Sequence, residues 1–463
     1  MTFPNHTPTA KNLSEEKKSS DTILSASNNR QNFGVSTPAE IVPGLICSFN
    51  SSNSLIRKGP VLGEEAFYGL AGEYARINAP YSEADPVGVL VQFCGLFGNA
   101  IGRSAHFYLG NDRHSAVLYT ALIGKTSIGK KGTAYSDAKR PFLVADPEWA
   151  KMNIKTGLSS GEGLIHQVRD PGKTSQGEDD PGVTDKRILV YQSEFSSVLR
   201  NIDRTGNTLS ETMRDAWDGL TLQTMTKNSP EMATNYHISV IGHITPKALK
   251  KRLNFDEKEN GFGNRFFWIY VESPKDIPDA ERAPDELIQP IIDKLKTAIQ
   301  YGKEAGEIEL DEEAKKFWRV IYPTLRADED EDGCAELKNR AKPQIRRLAA
   351  VYALLDLSNI VRLEHLRAAY AIWRYSEASL GFVFGGPSGC LMTDPYAVKI
   401  YEALNKAQDG LTRTQISRDV LRGNGAKEEI TAALYFLETK KLSYVEKKNM
   451  TNGKSCEIWR NIR

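Results

Sequence analysis

The sequence has no run of about 18 consecutive apolar residues, the length that a membrane-spanning helix requires. Its N-terminus lacks the basic-then-apolar order of a secretory signal peptide. The five cysteines lie far apart and include no C-x-x-C pair, which argues against a disulfide framework and against a structural zinc site. These absences together predict a cytoplasmic protein with reduced thiols and no membrane partner.

Net charge is also nearly absent, because 60 Lys and Arg are balanced by 59 Asp and Glu over 463 residues. The balance is uneven along the chain, since residues 395–463 carry 13 Lys and Arg against 8 Asp and Glu. A chain of this length with 40% hydrophobic residues can bury at least one large core and divide into two or three domains. We therefore expect a globular protein with a basic C-terminal end.

The first two segments of the chain differ in composition. Residues 1–60 are rich in Ser, Asn, Thr and Pro, so they cannot bury enough apolar surface to offset the entropy of ordering. We predict that they form a mostly disordered N-terminal arm. Residues 61–114 have apolar residues at helical spacing, and Asp85 with Pro86 is a typical helix start. This second segment is predicted to be a helical lead-in.

Near-continuous apolar runs mark the centre of the chain. The runs, typical of strands in a parallel sheet covered on both faces, are AVLYTALIG (116–124), RILVYQ (187–192) and HISVIGHI (237–244). The polar stretch 170–187 between them has two Asp-Pro-Gly turns, which predict a surface loop or hairpin. Residues 115–275 are therefore predicted to form an α/β core.

The C-terminal part of the chain is predicted to be largely helical. Residues 276–390 have long amphipathic helical patterns, and residues 391–463 have three short amphipathic helices followed by two strand-like stretches. Three helices with a hairpin make a winged helix, whose third helix can enter a DNA groove. The wing would carry Lys447, Lys448 and Lys454, which suit phosphate contacts. Binding of a protein is the alternative for this domain.

The stretch ALIGKTSIGKKGT (121–133) nearly spells the phosphate-binding loop G-x-x-x-x-G-K-S/T. It follows an apolar strand and precedes a helix start, so backbone N–H groups and the positive end of a helix can face an anion. The alternative is a glycine turn followed by two solvated lysines. The nucleotide interpretation takes ATP as the ligand and the following residues as its contacts: Gly124, Thr126, Gly129, Lys130, Lys131, Gly132 and Thr133.

Two registers of the motif fit this loop. In the first, Gly124 and Gly129 are the motif glycines and Lys130 is the motif lysine. Lys131 then stands where the magnesium-binding hydroxyl belongs. In the second, the loop is one residue longer, Lys131 is the motif lysine, and Thr133 supplies the hydroxyl. We favour the second register because it keeps a hydroxyl near the metal.

Nucleotide hydrolysis also needs an acidic residue at a strand end to hold Mg²⁺ or to polarise water. Glu194 lies two residues past the strand RILVYQ, later than the usual aspartate, and would otherwise be a solvated loop residue. Glu162 in GLSSGEGLI is a second candidate, with helix capping as the alternative. We predict that Thr133 and Glu194 hold Mg²⁺, and that Glu162 and Glu194 share the activation of water.

Two further residues are catalytic candidates. His243 ends the apolar strand HISVIGHI, where it can sense the γ-phosphate or simply be hydrogen-bonded in place. Arg265 lies on a glycine-flanked turn before an aromatic strand, and it can be an arginine finger that reaches the nucleotide of a neighbouring subunit. A salt-bridged surface arginine is the alternative for Arg265.

Several motifs carry a resemblance that covers roughly residues 64–463. In chain order they are DPVGVLVQFCGLFGNAIGR, GKTSIGKKGTA, GLSSGEGLI, PGVTDKRILVYQSEF, LSETMRDAWDG, HISVIGHITPKAL, GFGNRFFW, IRRLAAVYALLD and GLTRTQI. The chain resembles a widespread bacterial and phage family of recombinase-like P-loop proteins, described as helicases associated with primase modules of mobile elements. The resemblance implies an ATPase core that assembles into a ring or filament and acts on DNA. In that family the loop also ends in a basic pair, Gly and Thr, which supports Lys131 with Gly132 and Thr133.

The predicted fold is thus α/β, with a recombinase-like P-loop ATPase core, flanking helical regions and a C-terminal winged helix. The predicted function is an ATP-dependent DNA motor, a replicative helicase of a phage, plasmid or integrated element. Its partners would be single-stranded DNA in a homo-oligomeric, hexameric ring, duplex DNA at the winged helix, and a primase. The alternative is a DNA-binding regulatory or defence ATPase that switches assembly state without unwinding. A scaffold built on a P-loop relic is the third hypothesis.

Overall fold

The computed structural model describes residues 59–463 except 175, 226–229, 254–256, 258–259, 326–334, 385–394, 408, 424–426, 440–441, 450–454 and 462–463. The predicted N-terminal arm therefore lies outside the described residues, apart from Gly59 and Pro60. Within the described part of the chain, no helix is both long and apolar enough to cross a membrane.

The lead-in begins with two helices that pack against each other, α1 (Gly69–Asn78) and α2 (Pro86–Ala100). The Asp85 carboxylate accepts a hydrogen bond from the backbone N–H of Val87 at 3.0 Å, so the predicted helix cap is confirmed. Because this cap satisfies an N–H group that has no partner within the helix, it fixes where α2 starts.

The lead-in is not helical throughout, which corrects the prediction for residues 61–114. Strands β1 (His106–Leu109) and β2 (Asp112–Ser115) form an antiparallel hairpin with a two-residue loop. Gly110 has a φ of 64° in that loop. A glycine at positive φ in the first central position is what a tight hairpin turn requires.

A five-stranded, fully parallel sheet forms the centre of the described chain. Its strands in chain order are β3 (Tyr119–Ile123), β4 (Ile154–Lys155), β5 (Arg187–Gln192), β6 (His237–Ile244) and β7 (Phe266–Tyr270). Across the sheet the order is β7, β3, β6, β5, β4. The three strands predicted from apolar runs are confirmed, and the predicted α/β class with them.

Helices cover both faces of this sheet. The helices between its strands are α3 (Lys131–Lys139), α4 (Gly161–His166), α5 (Phe195–Ile202), α6 (Leu209–Asp218) and α7 (Pro246–Arg252), with short helices at Phe142–Ala145 and Pro147–Met152. Leu122 of β3 packs with α2 and α3, whereas its neighbours Ala121 and Ile123 pack with the cluster that includes α4 to α7. Successive side chains of a strand point to opposite faces, which explains why these strands are apolar at nearly every position.

The segment between β4 and β5 contains a small antiparallel pair, Gly172–Lys173 with Asp179–Asp180. This pair lies within residues 170–187 and confirms the hairpin alternative of that prediction. A second small antiparallel pair, Leu222–Gln223 with Met232–Ala233, precedes β6.

The helical region contains four long helices, α8 (Asp285–Glu304), α9 (Glu312–Ile321), α10 (Ala341–Leu355) and α11 (Leu363–Phe384), and a short helix Ala335–Lys338. The long helical pattern of the sequence is interrupted between α10 and α11. Leu357 has a φ of 54° there, a left-handed conformation that ends a helix. Ile360–Val361 then pairs in parallel with Glu309–Leu310.

The C-terminal tail contains three helices and a small sheet, as the sequence predicted, with one additional strand. The elements are α12 (Pro395–Lys406), β8 (Leu411–Thr412), a short helix Arg413–Gln415 that continues to Val420, α13 (Lys427–Thr439), β9 (Ser443–Asn449) and β10 (Ser455–Asn461). The sheet is antiparallel, with β10 between β8 and β9. The tail has a separate apolar cluster that includes Ile400, Leu404, Ile416, Leu434, Leu437 and Trp459.

Candidate functional site

The glycine loop connects the carboxyl end of β3 to the start of α3, as predicted. Its first glycine donates from its backbone N–H to the Ile244 carbonyl at 3.1 Å, which ties the loop to the end of β6. A Cβ on Gly129 would lie 2.9 Å from the Cα of Gly124, and a Cβ on Gly124 would lie 2.8 Å from the Val271 carbonyl oxygen. Both glycines are therefore required by close packing of the loop upon itself.

Two residues of the loop that are not glycine have left-handed backbone conformations. Ser127 has a φ of 64°, and Lys130 has a φ of 40° immediately before α3. Such conformations cost of order 1–2 kcal/mol for a residue with a side chain. Right- and left-handed residues in sequence turn successive N–H groups toward one point, which is how backbone concavities bind anions.

The two adjacent lysines have different partners. The Lys131 ammonium donates to the Gly124 carbonyl at 2.6 Å and to the Lys125 carbonyl at 3.5 Å, so it folds over the loop. The Lys130 ammonium instead forms an ion pair with Glu83 at 2.5 Å. This geometry matches the register in which Lys131 is the motif lysine.

Partial burial at the loop affects the charge of Lys131. Burial lowers the pKa of the Lys131 ammonium, and the negative charge of Glu194 acts in the opposite direction. Lys131 begins the helix after β3 and Glu194 lies two residues after β5, so both are at the carboxyl end of the parallel sheet. The Glu194 side chain is exposed and has no hydrogen-bond partner among the described residues.

The sheet has a change of direction beside this loop. From β3 the chain crosses to β4 at the far edge, and from β6 it crosses over β3 to reach β7. The neighbouring strands β3 and β6 therefore send their connections in opposite directions. In open parallel sheets, ligands bind outside the carboxyl ends of strands at such a point, and the glycine loop lies there.

His243 is buried near the carboxyl end of β6, and its side chain does not reach the surface on which the loop lies. Its side chain is 2% exposed, and its Nε2 is 2.8 Å from the Gln92 side-chain oxygen. Its ring packs edge-on against Tyr191, whose ring stacks on Tyr135 of α3 at 3.7 Å. Burial, with a smaller effect of Lys131, lowers the pKa of His243 to about 3, so the imidazole is neutral at physiological pH. The structure therefore places His243 as a buried support of α3.

Glu162 is not brought to the loop. It lies in the first turn of α4, where its carboxylate accepts a hydrogen bond from the Thr208 hydroxyl at 2.9 Å. Helix α4 follows β4, which is three strands from β3, or about 14 Å at the usual strand spacing. The Ser160 hydroxyl caps α4 by accepting from the Gly163 N–H, so the capping alternative describes this segment.

Arg265 is the clearest correction to the predicted site. It precedes β7, whose first residue Phe266 pairs with Tyr119 at the start of β3, so it lies at the opposite edge of the sheet from the loop. Its side chain is 6% exposed, forms an ion pair with Asp218 and lies over the Trp217 ring. A guanidinium that is buried and paired in this way is not presented to a neighbouring subunit, so the arginine-finger prediction is wrong for this conformation.

Sequence reasoning missed the residues that brace the loop from outside. The Ser273 N–H donates to the Ile128 carbonyl at 2.9 Å, and Glu83, the partner of Lys130, accepts from the Ile277 N–H at 2.9 Å. Glu272 lies 3.9 Å from the Lys125 ammonium. These contacts join distant segments, and no local pattern in the sequence signals them.

Gln192 was also missed, although it occupies the place where an acidic residue was expected. With its oxygen toward the donors, its carboxamide accepts hydrogen bonds from the N–H groups of Gly157 and Leu158 at 2.9 and 2.8 Å. It thereby holds the loop after β4 against the end of β5. An amide can do this in neutral form, whereas a carboxylate here would bring a charge.

The donors at the loop suit a Mg²⁺ ion that arrives with a nucleotide. Thr133 is exposed in the first turn of α3, and Glu194 is exposed at the start of α5. Among the described residues, no group of three or more His, Cys, Asp or Glu side chains can hold a metal ion. Mg²⁺ commonly uses one or two protein oxygens together with substrate phosphates and water, so this small donor set fits it.

The sequence matches no protein-family model and no curated protein.

Proposed function

We propose that this chain binds and hydrolyses ATP with Mg²⁺ at the glycine loop, on a recombinase-like P-loop core. The observation that carries the proposal is the position of the Lys131 ammonium, 2.6 Å from the Gly124 carbonyl, over a loop at the carboxyl edge of a parallel sheet. An ammonium that is bonded only to neutral carbonyls keeps its charge for a phosphate. The loop N–H groups and the start of α3 add further positive potential.

The chain's own residues would divide the work as follows. Lys131 would exchange its carbonyl contacts for phosphate oxygens, and the loop N–H groups would orient the phosphates. Thr133 and Glu194 would hold Mg²⁺, which when bound neutralises charge on the phosphates. Glu194, whose carboxylate is exposed and lies within electrostatic range of Lys131, would polarise the attacking water. Glu162 has no part in this proposal because it bonds to Thr208.

ATP turnover by the full chain with Mg²⁺ tests the proposal. Lys131→Ala should lower turnover by at least about 100-fold, since a preorganised cationic donor to the transition state is lost. Lys130→Ala is the matched control, because it removes the same charge from the adjacent position but breaks only the ion pair with Glu83. Its turnover should stay within about tenfold of the wild type. The reverse order of effects would overturn the assignment of Lys131.

We further propose that the tail is a winged helix on DNA, and that the chain acts as an ATP-dependent DNA motor. The three helices and the antiparallel sheet of the tail, its excess of Lys and Arg, and the exposed side chains of Lys447 and Tyr435 support this proposal. The predicted wing residue Lys454 and the side chain of Lys448 lie outside the described part of the structure. As a replicative helicase, the chain would form a homo-oligomeric ring around single-stranded DNA and work with a primase.

Addition of single-stranded DNA tests the motor proposal. We expect it to raise ATP turnover, and we expect the chain to displace a labelled strand from a forked duplex when ATP is present. An ATPase that is indifferent to DNA would contradict the motor.

One observation favours the second candidate, a DNA-binding ATPase that switches assembly state. The end of β5 has the neutral Gln192, bonded to Gly157 and Leu158, and the only nearby acid proposed for hydrolysis is the displaced Glu194. Slow hydrolysis from a displaced acid suits a switch better than a motor. DNA-dependent oligomerisation with ATP, without strand displacement, would identify the switch.

A further inference from the structure

A cleft of about 590 Å³ opens at the amino edge of the central sheet, where β5 and β6 begin. Its volume lies within the roughly 300–1,000 Å³ that is usual for small-ligand sites. The charged side chains of its lining are four cations and one carboxylate: Arg103, Lys186, Arg187, Lys303 and Asp185. The glycine loop lies at the opposite edge of the same sheet, so this cleft is a separate site and is independent of the proposed ATPase activity.

Three of the four cations are already neutralised by carboxylates. The ion pairs are Lys186–Asp170, Arg187–Asp185 and Lys303–Asp146. Arg187 also donates from Nη1 to the Ala100 carbonyl at 2.5 Å, which fixes it to the end of α2. These three side chains therefore hold the walls of the cleft in position.

Arg103 differs from the other three cations. Its side chain is half-buried, and it has no carboxylate or carbonyl acceptor among the residues that the structure describes. A neighbouring cation has the same sign, because Arg113 donates from Nη2 to the Arg103 backbone carbonyl at 2.8 Å. Burial, and then the charge of Arg113, lower the pKa of Arg103. An anion in the cleft would give this guanidinium the charged acceptor that it lacks.

The uncharged lining of the cleft also suits an anion. Ser104, Thr184 and Asn235 contribute side chains that can donate hydrogen bonds without adding negative charge. Asn235 has a φ of 55°, and residues in such strained conformations often occur at ligand sites. His237 is buried and bonded to the Gly98 carbonyl, and it does not compete for the ligand.

We propose that this cleft binds a phosphate-bearing ligand, anchored by the guanidinium of Arg103 with Ser104 and Thr184 as neutral donors. The planar fork of an arginine matches two phosphate oxygens at once. Lys186, Arg187 and Lys303 stay with their carboxylate partners and hold the walls of the cleft around this anchor. A free phosphate ester and the backbone of a nucleic acid share this chemistry, and the two are separated by experiment.

Calorimetric titration of the full chain carrying Lys131→Ala tests the proposal, because that variant weakens phosphate binding at the glycine loop. The probes are inorganic pyrophosphate and an oligothymidylate, each at low salt. Adding Arg103→Gln should weaken binding of at least one probe by about tenfold to a hundredfold, the effect of losing one charge-assisted contact. The comparison is between two proteins that share Lys131→Ala, so it does not depend on whether the glycine loop binds ATP.

Arg282→Gln in the same background is the matched control, because Arg282 is an exposed arginine with only a 4.0 Å contact to Asp285. A loss for pyrophosphate alone assigns the cleft to a small phosphate ester, and a loss for the oligonucleotide assigns it to a nucleic-acid backbone. The proposal is overturned if neither probe binds, if Arg103→Gln leaves both affinities unchanged, or if Arg282→Gln has the same effect. If Arg103→Gln fails to fold, Arg103→Lys is measured in its place. This variant keeps the positive charge but loses the planar guanidinium, so it should weaken binding of pyrophosphate or of the oligonucleotide. Unchanged binding of both would overturn the proposal.

Discussion

Two cations predicted to act at the nucleotide, Lys131 and Arg265, lie at opposite ends of the central sheet and have different partners. At the carboxyl edge, Lys131 donates only to backbone carbonyls of the glycine loop. At the amino edge, Arg265 is buried, paired with Asp218 and packed over Trp217. A carbonyl is a neutral acceptor and leaves the lysine charge available, whereas a carboxylate neutralises the arginine. A cation beside a glycine at a strand end is thus ambiguous in sequence, and the acceptor that it finds in the fold decides what it can do.

The loop at the carboxyl edge should tolerate almost no added volume. Gly129→Ala puts a methyl group 2.9 Å from the Gly124 Cα and 3.0 Å from the Lys125 carbonyl oxygen. We expect ATP turnover to fall by at least about 100-fold, because the donors to the phosphates would be displaced. Gly172→Ala is the control, since a Cβ there meets nothing within 4 Å. Normal turnover in Gly129→Ala would show that the loop geometry is not needed.

A substitution at the amino end of the sheet should lower the stability of the fold and leave ATP turnover unchanged. Arg265→Met leaves Asp218 without its closest partner, and we expect the free energy of unfolding, measured in urea, to fall by about 3 kcal/mol. Turnover per folded molecule should be unchanged. Arg282→Met, at an exposed arginine, should change stability by less than about 0.5 kcal/mol. Lost turnover with unchanged stability in Arg265→Met would restore the arginine finger.

Strand β6 has a buried histidine at each end, His237 at its amino end and His243 near its carboxyl end. The two ends of the sheet can therefore be compared within one strand. Burial lowers the pKa of each to about 3. An unfolded histidine has a pKa of about 6.5, so the unfolded chain binds protons that the folded chain does not, and stability falls as the pH drops below about 6.5. Each histidine contributes up to about 1.4 kcal/mol per pH unit until about pH 3.

Replacement of either histidine by glutamine should therefore reduce acid sensitivity. Between pH 7 and pH 5, each variant should lose about 2 kcal/mol less stability than the wild type, as measured by urea unfolding. His243→Gln should also change ATP turnover, because His243 supports α3 through Tyr191 and Tyr135. His237→Gln should leave turnover unchanged. Equal effects of the two variants on ATP turnover would contradict the inference that His243 supports the nucleotide loop and His237 does not.

Much of the core could be predicted from sequence because its signals are local. Burial on both faces favours apolar residues on both faces of β5 and β6, and the bounds of these strands match the runs RILVYQ and HISVIGHI. The glycine spacing marks the loop, and the need for a hydroxyl favours Lys131 over Lys130. These inferences use neighbours within a few residues along the chain.

The rest of the site depends on contacts between distant segments. Arg265 is paired with Asp218, 47 residues away in sequence, so its burial has no local signature. Glu83, the partner of Lys130, lies before α2 in a stretch that reads only as a helix start. Glu162 is a candidate because the water-activating glutamate of recombinase-like ATPases sits on a neighbouring strand. Strand order is not visible in sequence, and β4 proved to be the edge strand three positions from β3.

A third set of cations lies in the C-terminal tail, which is not part of the central sheet. Lys447 is exposed on β9, and Lys447→Ala should make the dependence of DNA binding on salt shallower by about 0.9 in the logarithmic slope if it contacts a phosphate of duplex DNA. Fluorescence anisotropy at several salt concentrations measures the slope. An unchanged slope would mean that Lys447 does not contact phosphate and would favour binding of a protein by the tail.

The brace between Ser273 and the loop has a consequence for synthesis of the chain on the ribosome. The Ile128 carbonyl cannot find its partner until Ser273 has left the ribosome, and β3 cannot pair with β6 or β7 earlier than those strands are made. At roughly 5–20 residues per second, synthesis from Ile128 to Ser273 takes about 7–30 s. During that interval the nascent chain carries the lysines of the loop without the geometry that aims them. The proposed nucleotide would therefore bind only after most of the core has been made, and it would not act as a template for folding the first strand.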